Sequence, residues 1–247
     1  MIDVTPPVVL SIGGTDPGAG TGILADLKTF AAHRVSGVCV VTAVTAPRDN
    51  GLDDVFPVPA TLVGTQLSAI LASFTVAAVK VGMLATGEIA SVIAAKARAG
   101  ALPNLVLDPV LLPGNGSRLG VTASVKRLMP YATVLTPDVD EAAALVGWPV
   151  ATTADMAGAA GQLAADGAKV VVVTGGDLSG DEAVDATWTS GGARFLRAPR
   201  VRTATTRGTG STFSAAIAAR LALGEDVADA IGNAKEYVSR TLAAENL

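Results

Sequence analysis

The chain has 247 residues, half of them hydrophobic, only 16% charged and 4% aromatic, with a formal net charge of −4. That length suits one α/β domain, residues 1–247, packed on small aliphatic side chains, and the apolar content excludes disorder. The negative balance without a Lys/Arg cluster excludes nucleic acid as a partner, and the single Cys39 and single His33 exclude an internal disulfide, a zinc centre and a Cys/His nucleophile pair.

In chain order, residues 8–12 read as a buried strand, followed by the glycine-rich run Gly13-Gly14-Thr15-Asp16-Pro17-Gly18-Ala19-Gly20-Thr21-Gly22. A helix over 22–32 comes next, with His33 at its end in a surface or capping role. Further strands are expected at 38–43 (carrying Cys39 as a core thiol), 77–81, 105–110, 133–135 and 170–174. Helices are expected at 62–73, 87–99, 122–128, 140–146 and 154–166. The strands are continuous β-branched runs rather than alternating ones, which marks a parallel sheet covered on both faces. Residues 186–190 and 193–197 flank Gly191-Gly192 and read as a hairpin extending one sheet edge. Two helices, 212–223 and 226–243, close the chain. No basic stretch precedes an apolar run at the N-terminus, and no apolar run is long enough to cross a bilayer, so a cytoplasmic location is expected.

Chemistry is expected at the carboxyl ends of the strands, where open α/β sheets bind ligands. Gly208-Thr209-Gly210-Ser211 opens directly onto a helix-forming stretch. Amide groups and the positive dipole end of a helix make an anion site there, and glycines admit the anion closely. Asp108 directly follows Asn104-Leu105-Val106-Leu107, at the carboxyl end of a strand. Asp138, Asp140 and Glu141 follow the strand at 133–135, where Asp138 or Asp140 suits a helix cap. Several acids around one crevice suit Mg²⁺, which takes one or two carboxylates with phosphate oxygens and water. Thr174-Gly175-Gly176-Asp177 ends a further strand and leaves backbone open to a nucleotide.

These residues carry a resemblance. The segments SIGGTDPGAGTGILADLKTF (11–30), VVTAVTA (40–46), VKVGML (79–84), VLDPV (106–110), LTPDVDEA (135–142), TGGD (174–177) and RGTGSTFSAAIAA (207–219) run in the order of the ribokinase-like superfamily. Within it the chain resembles the hydroxymethylpyrimidine/phosphomethylpyrimidine kinases of thiamine biosynthesis. The resemblance implies a three-layer α/β sandwich, its mostly parallel central sheet carrying an antiparallel hairpin at one edge. It implies ATP and Mg²⁺ as cofactors, a small-molecule substrate and a homodimer. Carried over position by position, Gly208, Thr209, Gly210 and Ser211 hold the transferring phosphoryl. Gly18, Gly20, Asp26, Val44 and Met83 line the pyrimidine pocket. Thr174, Gly176 and Arg207 face the nucleotide, and Asp108 and Glu141 serve Mg²⁺ and phosphate.

The departures from the family pattern are specific. Ser211 stands where the family has its presumed cysteine base, and a serine hydroxyl without a histidine is a poor base. Pro47 replaces the pyrimidine-contacting glutamine. Thr174 and Asp177 replace the family's lysine and histidine, Asp138 replaces an asparagine, and the lysine after DPV is absent. Arg207, Arg118 and Arg202 are the candidate compensating cations. Three functions fit this pattern: a hydroxymethylpyrimidine kinase, a pyridoxal-type vitamin kinase, which residues 54–60 also resemble, and a non-catalytic paralogue that binds nucleotide or pyrimidine as a regulator.

Overall fold

A computed structural model describes residues 5–46, 54–111, 118–203 and 207–244. Pro47 and residues 112–117 lie outside the described residues, as does the Arg118 side chain. One nine-stranded sheet organises the molecule, in the order β3-β2-β1-β4-β5-β6-β7-β8-β9. The parallel strands are β1 (Val8–Gly14), β2 (Ser36–Ala46), β4 (Val76–Val81), β5 (Leu105–Leu107), β6 (Val134–Leu135) and β7 (Val171–Val173). The hairpin β8 (Glu182–Thr189) and β9 (Gly192–Pro199) adds to β7 antiparallel, as its two-glycine turn predicts, and is longer than expected. At the other edge β3 (Asp54–Pro57) pairs antiparallel with the end of β2, a strand that the sequence pattern does not announce. It is four residues long and mostly exposed, so hydrophobic periodicity has nothing to report.

The strand ahead of Asp108 stops at Leu107 rather than at 110, because Pro109 follows and cannot donate to a ladder. Helices α2 (Ala60–Ser73), α3 (Gly87–Arg98), α4 (Arg118–Leu128), α5 (Val139–Val146) and α6 (Thr153–Ala165) cover one face, and α1 (Gly22–Ala32), α7 (Thr209–Ala222) and α8 (Val227–Ala244) the other. Side chains alternate between these layers with the strand period of two. Leu10, Ile12, Val79, Val81, Leu105 and Leu107 pack in the α2–α6 core, whereas Val9, Ala78 and Val106 pack in the α1/α7/α8 core. By the same alternation Ser11, Lys80 and Asp108 face α1 and α7 (Ser11 and Lys80 are register partners on β1 and β4).

His33 ends α1 as anticipated, with ring Nδ1 2.8 Å from the Thr29 carbonyl and an edge contact to Tyr237. Cys39 is only partly buried on β2, and burial pushes its thiol pKa up.

Candidate active site

At the carboxyl end of β1 the chain turns through residues 15–21 into α1, and Asp16 shapes that turn. Its carboxylate accepts from the amides of Gly18 (3.1 Å), Gly20 (3.2 Å) and Thr21 (2.9 Å) and from the Thr21 hydroxyl (3.0 Å). Arg207 approaches to 3.9 Å. Burial opposes the Asp16 charge, but these hydrogen bonds and Arg207 together hold its pKa below the usual carboxylate value. The amides of Gly18 and Gly20, expected at the substrate, are therefore turned onto Asp16. Both amide hydrogens are thereby used within the turn itself.

The second glycine turn lies against the first. Gly208 has φ +88°, and a Cβ there would stand 1.7 Å from the Gly20 carbonyl oxygen. The left-handed turn lets α7 begin at Thr209, three residues earlier than the expected start at 212. Gly210 and Ser211 thus sit inside the first helical turn, ahead of the first bond of the helix ladder from Thr212 N to Gly208 O. Their amides have no acceptor within the helix, and the dipole of α7 adds positive potential at the same point. Nothing lies within 4 Å of a Cβ on Gly210.

That turn forms one wall of a cavity of about 320 Å³. Thr174, Gly176 and Asp177 line it from the end of β7, and Val201, Phe213, Val238 and Leu242 give it an apolar side. Arg200 holds the lining in shape. Its guanidinium donates to the carbonyls of Gly176, Leu178, Gly180 and Glu182. Lys235 of α8 reaches the cavity while bonded to Asp185 at 2.7 Å, and Asp185 also accepts from the Gly175 amide. Among the described residues the cations that line this cavity are therefore Lys235 and Arg200. Arg202, one of the anticipated substitutes, pairs at the surface with Asp181 instead, where both side chains are almost fully exposed.

Asp26, anticipated as a pocket residue, is closed off. It is 1% exposed, with Oδ2 accepting from Ser11 Oγ (2.5 Å) and Oδ1 from Lys80 Nζ (3.0 Å). Lys80 also lies 3.2 Å from Asp108 Oδ2, which the Ser214 hydroxyl approaches at 3.0 Å. Burial works against the Lys80 charge, but the two carboxylates outweigh it and lift its pKa above the usual lysine value. Lys80 belongs to the VKVGML segment, yet no local signal marks it. Its strand reads as apolar, and its partners stand far away in the chain.

Asp138 caps α5 and forms a capping box with Glu141, as the order of those residues predicts. Glu141 accepts from the amides of Asp138 (2.9 Å) and Leu111 (3.4 Å). Burial, with the charges of Asp108 and Asp138 beside it, pushes the Glu141 pKa up to about 9. A buried acid with two further carboxylates beside it is a place where a cation would relieve the crowded charge. Among the described residues no group of three or more metal-type ligands occurs. The pair Asp108 and Glu141 fits Mg²⁺, which takes few protein ligands and completes its shell from phosphate and water.

The raised Glu141 pKa has a measurable consequence. The folded chain keeps a proton that the unfolded chain has lost. The associated stability is full below the unfolded value near 4.5 and is lost as pH rises through about 9. In EDTA, the melting temperature of wild type should fall by several degrees relative to Glu141→Gln between pH 5 and pH 9. Parallel curves for the two proteins would show that Glu141 is not the titrating group.

At the end of β1, a Cβ on Gly14 would lie 2.9 Å from Met83 Sδ, so Met83 covers that strand end. The Thr42 hydroxyl donates to the Met83 carbonyl at 2.6 Å, and the Thr45 hydroxyl donates to the Thr15 carbonyl at 2.6 Å. Val44 is 53% exposed, opposite Phe56 of β3. The fold therefore brings Gly18, Gly20, Arg207 and Gly208–Ser211 together, sets Thr174 and Gly176 on the adjoining cavity, and places Asp108 under α7. Asp16, Lys80, Arg200, Asp185 and Lys235 are the participants that sequence reasoning did not single out.

A helix start with open amides beside a second glycine turn, with acids at the strand ends of a ribokinase-like sandwich, is the arrangement expected of a small-molecule kinase. Comparison with known proteins agrees. The family model described as phosphomethylpyrimidine kinase matches residues 16–247. The hydroxymethylpyrimidine/phosphomethylpyrimidine kinase of Streptomyces coelicolor is 39% identical, over 98% of this chain and 90% of the relative. Pyridoxal kinase of Bacillus subtilis, solved as an ADP complex, superposes with a TM-score of 0.89 at 37% identity, covering 95% of this chain and 91% of that one. Pyridoxal kinase of Staphylococcus aureus, solved with AMP-PCP and pyridoxal, gives 0.89 at 33% identity, covering 96% and 87%. The chain belongs to the phosphomethylpyrimidine kinase family.

Proposed function

We propose that the protein transfers the γ-phosphoryl group of ATP, with Mg²⁺, to a hydroxymethylpyrimidine or its monophosphate, in thiamine biosynthesis or salvage. The observation that carries this reading is the contact of the two glycine turns. Gly208 rests on Gly20, so the N-terminus of α7 lies between the turn into α1 and the cavity lined by Thr174 and Gly176. That cavity, apolar on one side and open toward α7, suits a nucleotide base and sugar. The amides of Gly210 and Ser211 face the transferring group. Phosphoryl transfer has a loose transition state, so positioning and charge stabilisation carry most of the catalysis. Mg²⁺, when bound by Asp108 and Glu141, neutralises charge on the phosphate oxygens. We place the whole chain in one catalytic domain, working as a homodimer in the cytoplasm. Among the described residues no helix is long and apolar enough to cross a membrane.

A second reading has its own support. The similarity to pyridoxal kinases is close in both structure and sequence, and pyridoxal presents the same hydroxymethyl group on an aromatic ring. Purified protein with Mg-ATP should phosphorylate hydroxymethylpyrimidine. Turnover of pyridoxal alone would transfer the assignment to the second reading, and nucleotide binding without turnover of either would make the protein a binding paralogue.

Ser211 sets the expected rate. A thiol near a helix N-terminus forms its anion far more readily than a serine hydroxyl does. A full general base contributes about 10²–10⁴-fold. Ser211→Cys should raise kcat toward that range, and Ser211→Ala should change it little. A fast wild type with a dead alanine variant in steady-state assays would mean that the serine itself carries the proton transfer.

A further inference from the structure

Among the described residues Lys80 is the largest fully buried polar side chain, 1% exposed. It projects from β4 into the layer between the sheet and helices α1 and α7, beside Ser11 of β1. There it meets carboxylates from two other elements, Asp26 of α1 at 3.0 Å and Asp108 after β5 at 3.2 Å. Gly82 makes room for it, since a Cβ at that position would stand 3.1 Å from the ammonium. Nothing about stability demands this arrangement. A buried ion pair is often no more stabilising than apolar side chains of the same volume.

The geometry of Asp108 supplies a reason for it. Lys80 Nζ and Ser214 Oγ both contact the same oxygen, Oδ2, with the single Ser214 proton shared between Oδ2 and the carbonyls of Gly210 and Ser211. Two contacts on one oxygen fix the rotation of the carboxylate and leave Oδ1 to act as a ligand. Ser214 also lies within 3.0 Å of the Gly210 carbonyl, in the turn whose amides face the phosphoryl group. Asp26 lies one helical turn beyond Gly22, where the substrate-side loop enters α1. One ammonium thus holds together the helix after the substrate loop, the metal-side acid and, through Ser214, the phosphate turn.

We propose that Lys80 is a positioning residue, which orients Asp108 so that Oδ1 faces the Mg²⁺ and phosphate site. This rests on the assignment of Asp108 under the proposed function. Partners that orient a metal ligand typically alter metal affinity by about 10–100-fold when removed. The test is Mn²⁺ binding to the full-length protein in the presence of ADP, followed by calorimetry. Lys80→Met alone would strand two buried carboxylates, so the informative protein is Lys80→Met with Asp26→Asn, compared with Asp26→Asn alone. The double variant should bind Mn²⁺ about tenfold or more weakly than Asp26→Asn, with affinity for metal-free ADP unchanged. Equal Mn²⁺ affinity in the two proteins would overturn the role of Lys80. An absence of Mn²⁺ binding by wild type would instead remove Asp108 as a metal ligand, and the inference with it. Should the double variant not fold, Ser214→Ala decides the matter. It removes the other contact on Oδ2 and should weaken Mn²⁺ binding about threefold, and unchanged binding would overturn the clamp.

Discussion

Gly208→Ala is expected to lower the melting temperature by about 10 °C and to abolish phosphoryl transfer. Two costs add at this position. The left-handed φ of +88° is strained for any residue with a Cβ, by roughly 1–2 kcal/mol. The added methyl would also stand 1.7 Å from the Gly20 carbonyl oxygen, a backbone atom that cannot rotate away. The turn at Gly20 must therefore retreat, although Asp16 pins it through the Gly18, Gly20 and Thr21 amides. A total near 3–4 kcal/mol converts, in a chain of this size, to the stated fall in melting temperature. Thermal unfolding of the purified variant measures it. A loss below about 2 °C with activity retained would mean that the two turns are not packed as described.

Gly210→Val should show the opposite division. Nothing lies within 4 Å of a Cβ at this position, and the residue lines the cavity proposed to take the nucleotide. The side chain would fill ligand space rather than protein space, so stability should stay within about 1 kcal/mol of wild type. Phosphate binding should fail, because the valine occupies the approach to the amides of Gly210 and Ser211. A loss of three orders of magnitude in kcat/KM is expected, a size comparable with removing an oxyanion donor of about 10²–10³-fold together with the displaced phosphate. Calorimetry with ATP separates the effects. Unchanged nucleotide affinity would take the first turn of α7 out of the binding site. On these expectations two glycines separated by one residue serve different ends, Gly208 the packing of a neighbouring backbone and Gly210 the approach of a ligand.

Much of this was legible from short stretches of chain. Continuous β-branched runs alternating with alanine-rich helices specify a covered parallel sheet, and they do so locally, because burial on both faces removes the polar alternation. The Gly208–Ser211 turn, the capping box of Asp138 and Glu141, and Asp108 at a strand end are all set by neighbours within a few residues, where backbone chemistry decides the outcome. The start of α7 was misplaced by three residues because its first turn contains a glycine, which reads as a breaker until Gly208 is seen in its left-handed cap.

Other features depend on which strands lie side by side. Lys80 and Asp26 are 54 residues apart, and Asp108 and Ser214 are 106 apart. Their meeting follows from the placing of β1, β4 and β5 as neighbours with α1 and α7 over one face, which no local pattern encodes. The same holds for Asp26, whose acid in the first helix reads as a pocket residue until Lys80 and Ser11 are found covering it. A buried charge must be satisfied, but whether by a ligand or by another side chain is settled by register and strand order. The residue types along the chain specified a covered α/β sandwich with a glycine turn at a helix start and acids at strand ends, and the family motifs they form marked it as a kinase. Tertiary packing decided how those acids are held, because a hydrogen bond acts over about 3 Å and only the folded chain brings its two ends that close.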